Sequence, residues 1–180
     1  LVLNIGTVCD RKGQHIFARA VDLLWRSAPE LAASGQFLMV GGHETLFDRD
    51  LQRLLVQLDR HNLRILPSTS DPFAYYRAAD LFVCSSYEES FPRVVLEAMA
   101  SGLPVVAFNY AAAVRYIRHG ENGWQVPLGD ADAFIARCAA AKTPLSGGEA
   151  VHMRKSRARS PHQRGRGRAA ARPAACRSRS

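Results

Sequence analysis

Two carboxylates, Glu89 and Glu97, flank a proline in the stretch Glu88-Glu89-Ser90-Phe91-Pro92-Arg93-Val94-Val95-Leu96-Glu97-Ala98-Met99-Ala100-Ser101-Gly102-Leu103-Pro104. Pro92 has no N–H to lose and presets the backbone angle for the first turn of a helix. Val94, Val95, Ala98 and Met99 then recur at helical spacing. Gly102 is placed to end the helix, and Pro104 blocks its continuation. Glu89 therefore precedes a helix start and Glu97 lies inside the helix, roughly 12 Å away if helical rise held throughout. Between them sits a helix N-terminus, with unpaired N–H groups and a partial positive charge, which suits an anion. A ligand with a diphosphate in the middle and hydroxyls at both ends fits that layout, and a nucleotide sugar is such a ligand. Glu88 reads as a solvated loop charge.

The elements that must hold this stretch alternate along the chain. Leu81–Cys84 and Val105–Phe108 are short apolar runs on either side of the helix, as expected of buried strands. Residues 1–7 read as a strand ending at Gly6, followed by the loop Val8-Cys9-Asp10-Arg11-Lys12-Gly13. Ile16, Phe17, Ala20, Val21 and Leu24 trace one face of a helix ending near Pro29. A glycine and two cations thus fall at a strand-to-helix turn, where phosphates bind in α/β folds. Lys12 is the candidate for pairing with the diphosphate, and Arg11 reads as a surface charge.

Residues 37–40 form the second strand, ended by Gly41-Gly42-His43, which is no G-x-G-x-x-G fingerprint and gives no support for a nicotinamide site. Leu51, Leu54, Leu55 and Leu58 mark a further helix by core packing, with Arg53 and Arg60 outward. Residues 63–66 are a third strand, and residues 73–79 a short helix whose Tyr75 and Tyr76 read as packing. After Phe108, a helix is expected over 114–118, a hairpin-like turn over 120–127, and a last amphipathic helix over 130–141 with Asp130 as N-cap. Five alternations of strand and helix imply an α/β fold: a Rossmann-like, mostly parallel sheet with helices on both faces.

Composition bounds the rest. The net charge of +8 arises from residues 151–180, where nine Arg and Lys155 meet no acid; residues 1–150 carry −2. The basic balance therefore belongs to a tail and does not point the domain at nucleic acid. Residues 142–180 have no apolar period and read as a disordered, Arg-rich segment, either frame-shifted or a genuine basic arm. Cys9, Cys84, Cys138 and Cys176 form no CxxC pair and no metal-ligand spacing, which suits a reducing cytoplasm. No apolar run reaches membrane-spanning length, and the first residues read as a strand rather than a signal peptide.

Glu89 and Glu97 at this spacing, with Ala98-Met99-Ala100-Ser101-Gly102-Leu103-Pro104-Val105-Val106 behind them, resemble the signature of retaining glycosyltransferases of the group 1 type, family 4. Lys12-Gly13 resembles that family's first phosphate loop, although Thr7 stands where the family often has Arg. Gly120 to Val126 is similar to the family segment that closes the sheet. The resemblance covers residues 1–141 and implies the C-terminal, donor-binding half of the two-domain GT-B architecture. The acceptor-binding half is expected to precede Leu1.

The implied reaction moves a sugar from a UDP- or GDP-sugar to an acceptor hydroxyl with retention, without a metal or other cofactor. By resemblance, Glu89 holds donor-sugar hydroxyls and is the catalytic candidate, and Glu97 holds the ribose. Gly6, Lys12, Ser90, Phe91, Pro92, Arg93 and Val94 complete the donor site. Implied partners are the nucleotide-sugar donor, an acceptor that is a glycan, lipid or small molecule, and the N-terminal domain. Peripheral contact of the full-length enzyme with the cytoplasmic membrane face is compatible. The alternatives are a nucleotide-sugar binding fragment without turnover, or an epimerase or phosphorylase on the same architecture. Deleting the residues after Lys142 is expected to leave the melting temperature unchanged by calorimetry; a fall of several degrees would show that the tail packs.

Overall fold

The computed structural model describes residues 1–88, 91–109, 115–128 and 130–140. The strands are β1 (Val2–Ile5), β2 (Phe37–Gly42), β3 (Leu63–Pro67), β4 (Leu81–Cys84), β5 (Val105–Phe108) and β6 (Gly123–Val126). The helices are α1 (Gln14–Ser27), α2 (Pro29–Ala33), α3 (Leu46–Leu58), α4 (Pro72–Ala78), α5 (Arg93–Ala100) and α6 (Ala131–Ala140). The strands form one six-stranded sheet in the order β3-β2-β1-β4-β5-β6. Each pairing is parallel. This is the doubly wound order, and the chain reverses its direction of travel across the sheet between β1 and β4.

Parallel strands need crossovers, and right-handed crossovers send the two halves of the chain to opposite faces. Accordingly the crossover helices α1 and α3 pack together, while α4 and α5 pack against each other, α4 against β1 and α5 against β4 and β5; α6, which follows the last strand, returns to pack on α1. Every residue of β4 and β5 is buried. Their all-apolar runs follow from that double covering. Phe134 of α6 stacks on Phe108 with ring centroids 5.1 Å apart, which fixes α6 over β5. Asp130 caps α6 as expected, its Oδ1 accepting the Ala133 N–H at 2.8 Å.

Two expectations about the segment before β6 are corrected. Residues 115–118 are not helical. The Asn122 side chain satisfies their backbone instead: its Oδ1 accepts the Arg118 N–H at 2.8 Å and its Nδ2 donates to the Tyr116 carbonyl at 3.1 Å. A side-chain amide bonding nearby backbone groups competes with helix formation in this way. Nor is there a hairpin over 120–127, because β6 runs parallel to β5, in register from Val105 opposite Gly123 to Phe108 opposite Val126.

A third correction concerns Arg60, which does not point outward. It closes onto buried Asp22 of α1, with Nη2 at 2.7 Å and Nε at 3.0 Å from Oδ1, and lies over the Trp25 ring at 5.5 Å. Arg26 holds the other oxygen at 2.9 Å. Burial alone would raise the Asp22 carboxyl, but the bonds from Arg60 and Arg26 outweigh it and hold the pKa below the usual value. Asp22→Asn should therefore destabilise the fold by roughly 2 kcal/mol in urea unfolding at neutral pH. A depressed folded pKa gives stabilisation that is present above the unfolded value of about 3.9 and lost as pH falls through the folded one. The gap between wild type and variant should thus close in acid; an equal gap at every pH would remove the charge from the explanation.

Candidate active site: the crevice between β1 and β4

In open α/β sheets, ligands sit outside the carboxyl ends of the strands where the winding reverses. Here that point lies beyond β1 and β4, and the loops leaving it are residues 6–13 and 85–92. The two strands share register at only two positions, Val2 with Leu81 and Leu3 with Phe82. Beyond them the buried Asn4 side chain replaces the backbone ladder. Its Nδ2 donates to the Val83 carbonyl at 3.0 Å and to Ser85 Oγ at 3.1 Å. Ser85 Oγ in turn donates to the Lys12 carbonyl at 2.9 Å, and the Tyr87 N–H donates to the Arg11 carbonyl at 3.1 Å. Burial, then the hydrogen-bonded Asp10 carboxylate, push the Tyr87 hydroxyl up to about 12. The loop after β1 and the loop after β4 are therefore stitched to each other side by side.

Glycines permit this closeness. Gly13 has φ 63°, and a Cβ there would lie 2.2 Å from the Ser85 carbonyl oxygen. Gly41 has φ 130°, and a Cβ there would lie 2.2 Å from the Gly6 carbonyl oxygen. No side-chain-bearing residue fits either position without moving backbone. Gln14, buried in the first turn of α1, donates from Nε2 to the carbonyls of Thr7 at 3.2 Å and Gly6 at 3.3 Å. Lys12 lies across Gly6, with Nζ 3.9 Å from where a Gly6 Cβ would be. Gly6 and Lys12 are thus brought together at the end of β1.

On the other side of the crevice α5 begins one residue later than expected. Pro92 occupies the N-cap position with φ −82° and ψ 60°. Its carbonyl accepts the N–H groups of Val95 at 3.0 Å and Leu96 at 3.2 Å. The Arg93 N–H turns back to the Phe91 carbonyl at 2.9 Å, and Pro92 has no N–H. The N–H groups of Phe91 and Val94 find no acceptor among the described residues. Phe91 is exposed and meets Tyr116 edge-on with centroids 6.3 Å apart. Glu89 and Ser90 lie outside the described residues, as do residues 141–180.

Glu97 lies one turn into α5. Its Oε2 accepts the Tyr76 hydroxyl at 3.0 Å, and its Oε1 is 3.6 Å from Arg93 Nε. Tyr76, read from sequence as packing, is therefore also a polar partner of a site residue. Its spacing to Glu97 carries no local pattern, because the two meet across α4 and α5. Burial, then the Glu97 charge, raise the Tyr76 pKa, so it stays a protonated donor. Three buried polar atoms have no partner among the described residues: Gln14 Oε1, His15 Nδ1 and Asp48 Oδ1. They sit in the first turns of α1 and α3, at the same carboxyl edge of the sheet. Among the described residues no three His, Cys, Asp or Glu side chains gather into a metal-binding group. No helix there is long and apolar enough to cross a membrane.

A glycine-lined turn, a lysine and a helix N-terminus stand at the switch point of a doubly wound α/β domain, where ligands bind in folds of this class. The family described as "Glycosyl transferases group 1" matches residues 1–141. The chain belongs to the group 1 glycosyltransferases, and its sheet is the Rossmann-like half of their GT-B fold. A glycosyltransferase of Haemophilus influenzae is 31% identical over 125 residues, covering 68% of this chain and 34% of that protein. The lipopolysaccharide core biosynthesis glycosyltransferase LpsE of Rhizobium meliloti is 32% identical, covering 74% and 37%. The Anabaena protein HepE, solved in complex with UDP and glucose, is 25% identical with a TM-score of 0.70, covering 87% of this chain and 42% of that one. The chain thus spans about a third of the length of these curated relatives.

Ser85→Ala breaks both of its bonds and leaves the Lys12 carbonyl and the Asn4 amide short of a partner. A loss of about 1–3 kcal/mol is expected in denaturant unfolding. An unchanged midpoint would mean the two loops hold together without it.

Proposed function

We propose that this chain is the donor-binding part of a retaining glycosyltransferase that moves a sugar from a UDP- or GDP-sugar to an acceptor hydroxyl. The reading rests on Lys12 lying over Gly6 at the end of β1, on the α5 N-terminus after β4, and on the Glu97 carboxylate a turn into α5. A diphosphate at that N-terminus gains the helix partial charge and hydrogen bonds from first-turn N–H groups. Lys12 supplies a full positive charge on the opposite wall. We assign the ribose hydroxyls to Glu97, a turn further along α5. The likeness to HepE, which is solved with UDP and glucose, supports a nucleotide-sugar donor.

Glu89 is assigned to the hydroxyls of the donor sugar. The acceptor hydroxyl attacks the anomeric carbon on the face that the diphosphate leaves, the bond from carbon to phosphate oxygen breaks, and the departing oxygen takes the acceptor proton. No covalent glycosyl-enzyme is needed. We assign the charge neutralisation to Lys12 and α5 rather than to a bound metal or other cofactor. The acceptor-binding half is assigned to sequence outside these residues, and the setting to the cytoplasm or the cytoplasmic membrane face.

Calorimetric titration separates the two acids. Glu97→Ala should weaken binding of the bare nucleoside diphosphate about tenfold, the loss of a charged hydrogen bond. Glu89→Ala should spare UDP or GDP and weaken only the sugar-bearing donor. Equal losses for both ligands in both variants would contradict the assignment.

A further inference from the structure

We propose that Tyr76 is a positioning residue, whose hydroxyl fixes the Glu97 carboxylate in the one orientation that presents it to a nucleotide ribose. The inference rests on the nucleotide-sugar reading above. Tyr76 belongs to α4, whereas Glu97 belongs to α5, so the bond ties a binding residue to a second element of the scaffold. The Tyr76 side chain has little freedom of its own. It is 0% exposed, and its ring packs edge-on between Phe73 at 5.8 Å and Phe82 of β4 at 5.6 Å. Its hydroxyl carries a single proton, which the geometry directs to Glu97 Oε2 at 3.0 Å in preference to the Val94 carbonyl at 3.3 Å.

Glu97 needs such a partner. Its side chain is 26% exposed, and its other neighbour, Arg93, is 81% exposed and stands 3.6 Å away. An exposed arginine at that distance balances charge without setting a rotamer. A carboxylate free to rotate must be ordered when a ligand arrives, and that ordering opposes binding. With Oε2 engaged by Tyr76, the carboxylate is already oriented, and its remaining lone pairs can accept from the ribose.

A purely structural Tyr76 would also satisfy its own hydroxyl, so the test must read the ribose. UDP and GDP are titrated into the whole chain, alongside counterparts lacking both ribose hydroxyls. Wild type should prefer the ribonucleotide. Tyr76→Phe should weaken the ribonucleotide about tenfold and leave the hydroxyl-free counterpart almost unchanged. Glu97→Ala should erase the same preference, and the double variant should match Glu97→Ala alone.

Equal weakening of both nucleotides by Tyr76→Phe, or additive losses in the double variant, would overturn the positioning role while leaving the donor site intact. A wild type that binds no nucleotide, or does not distinguish the two, would overturn the donor-site reading and this role with it. Glu97→Asp covers the case in which Tyr76→Phe does not fold. It withdraws the carboxylate from Tyr76 by one methylene at a half-buried position, and should lose the same preference with an unchanged melting temperature. Retained preference in that variant would overturn the role.

Discussion

The crevice exists because β1 and β4 part after two paired positions and a side chain, Asn4, spans the gap. A fully zipped ladder would close the carboxyl edge of the sheet. An unsupported gap would leave buried carbonyls and N–H groups without partners, which the interior does not tolerate. Asn4 solves both problems, because one amide nitrogen donates to the backbone of β4 and to Ser85. Ser85 passes the connection to the Lys12 carbonyl, so the loop that carries Lys12 is referenced to the strand that leads into α5. The position of a cation on one wall and of a helix N-terminus on the other is then set by a short chain of buried hydrogen bonds. Such a buried network is rigid when fully satisfied.

The second wall follows the same logic. α5 presents its N-terminus to the crevice because Pro92 opens the helix and Val95 and Ala98 bury its other face against the sheet. One turn along, Glu97 is held by Tyr76 from α4, which itself is clamped between Phe73 and Phe82. The functional groups thus stand on elements whose apolar faces are anchored elsewhere. Packing decides where each group points, and polar contacts trim its final direction.

Much of this is legible in the chain. Leu81–Cys84 and Val105–Phe108 are visible as apolar runs because parallel central strands are buried on both faces. α5 is visible because its proline start, helical stripe and glycine stop are all local signals. Glu97 and Lys12 could be singled out because each is a charged residue beside a helix end or turn that local signals define. What escapes the sequence is nonlocal. Arg60 looks like an outward charge until α1 brings Asp22 beneath it. The stretch 115–118 looks helical until the Asn122 side chain takes its backbone bonds. The partnership of Tyr76 with Glu97 depends on two helices meeting, and no spacing rule encodes that.

The loop after β1 carries the cation of the proposed donor site. Thr7 stands where the family resemblance leads one to expect arginine, leaving Lys12 as the cation lying over Gly6. Backbone carbonyls in such a loop would repel a diphosphate if they turned toward it. Gln14 prevents this, since its buried amide engages the carbonyls of both Gly6 and Thr7 from the protein side. The Gly6 N–H likewise donates to the Val40 carbonyl and that of Val8 to the Gly41 carbonyl, which ties the loop to β2. The field of Lys12 then acts across the crevice against less opposing dipole. Removing a nearby partial negative charge and adding a partial positive one shift the potential in the same direction, and both effects are strongest where water is excluded. A buried, uncharged glutamine one residue beyond the loop thus bears on the electrostatics of the proposed site.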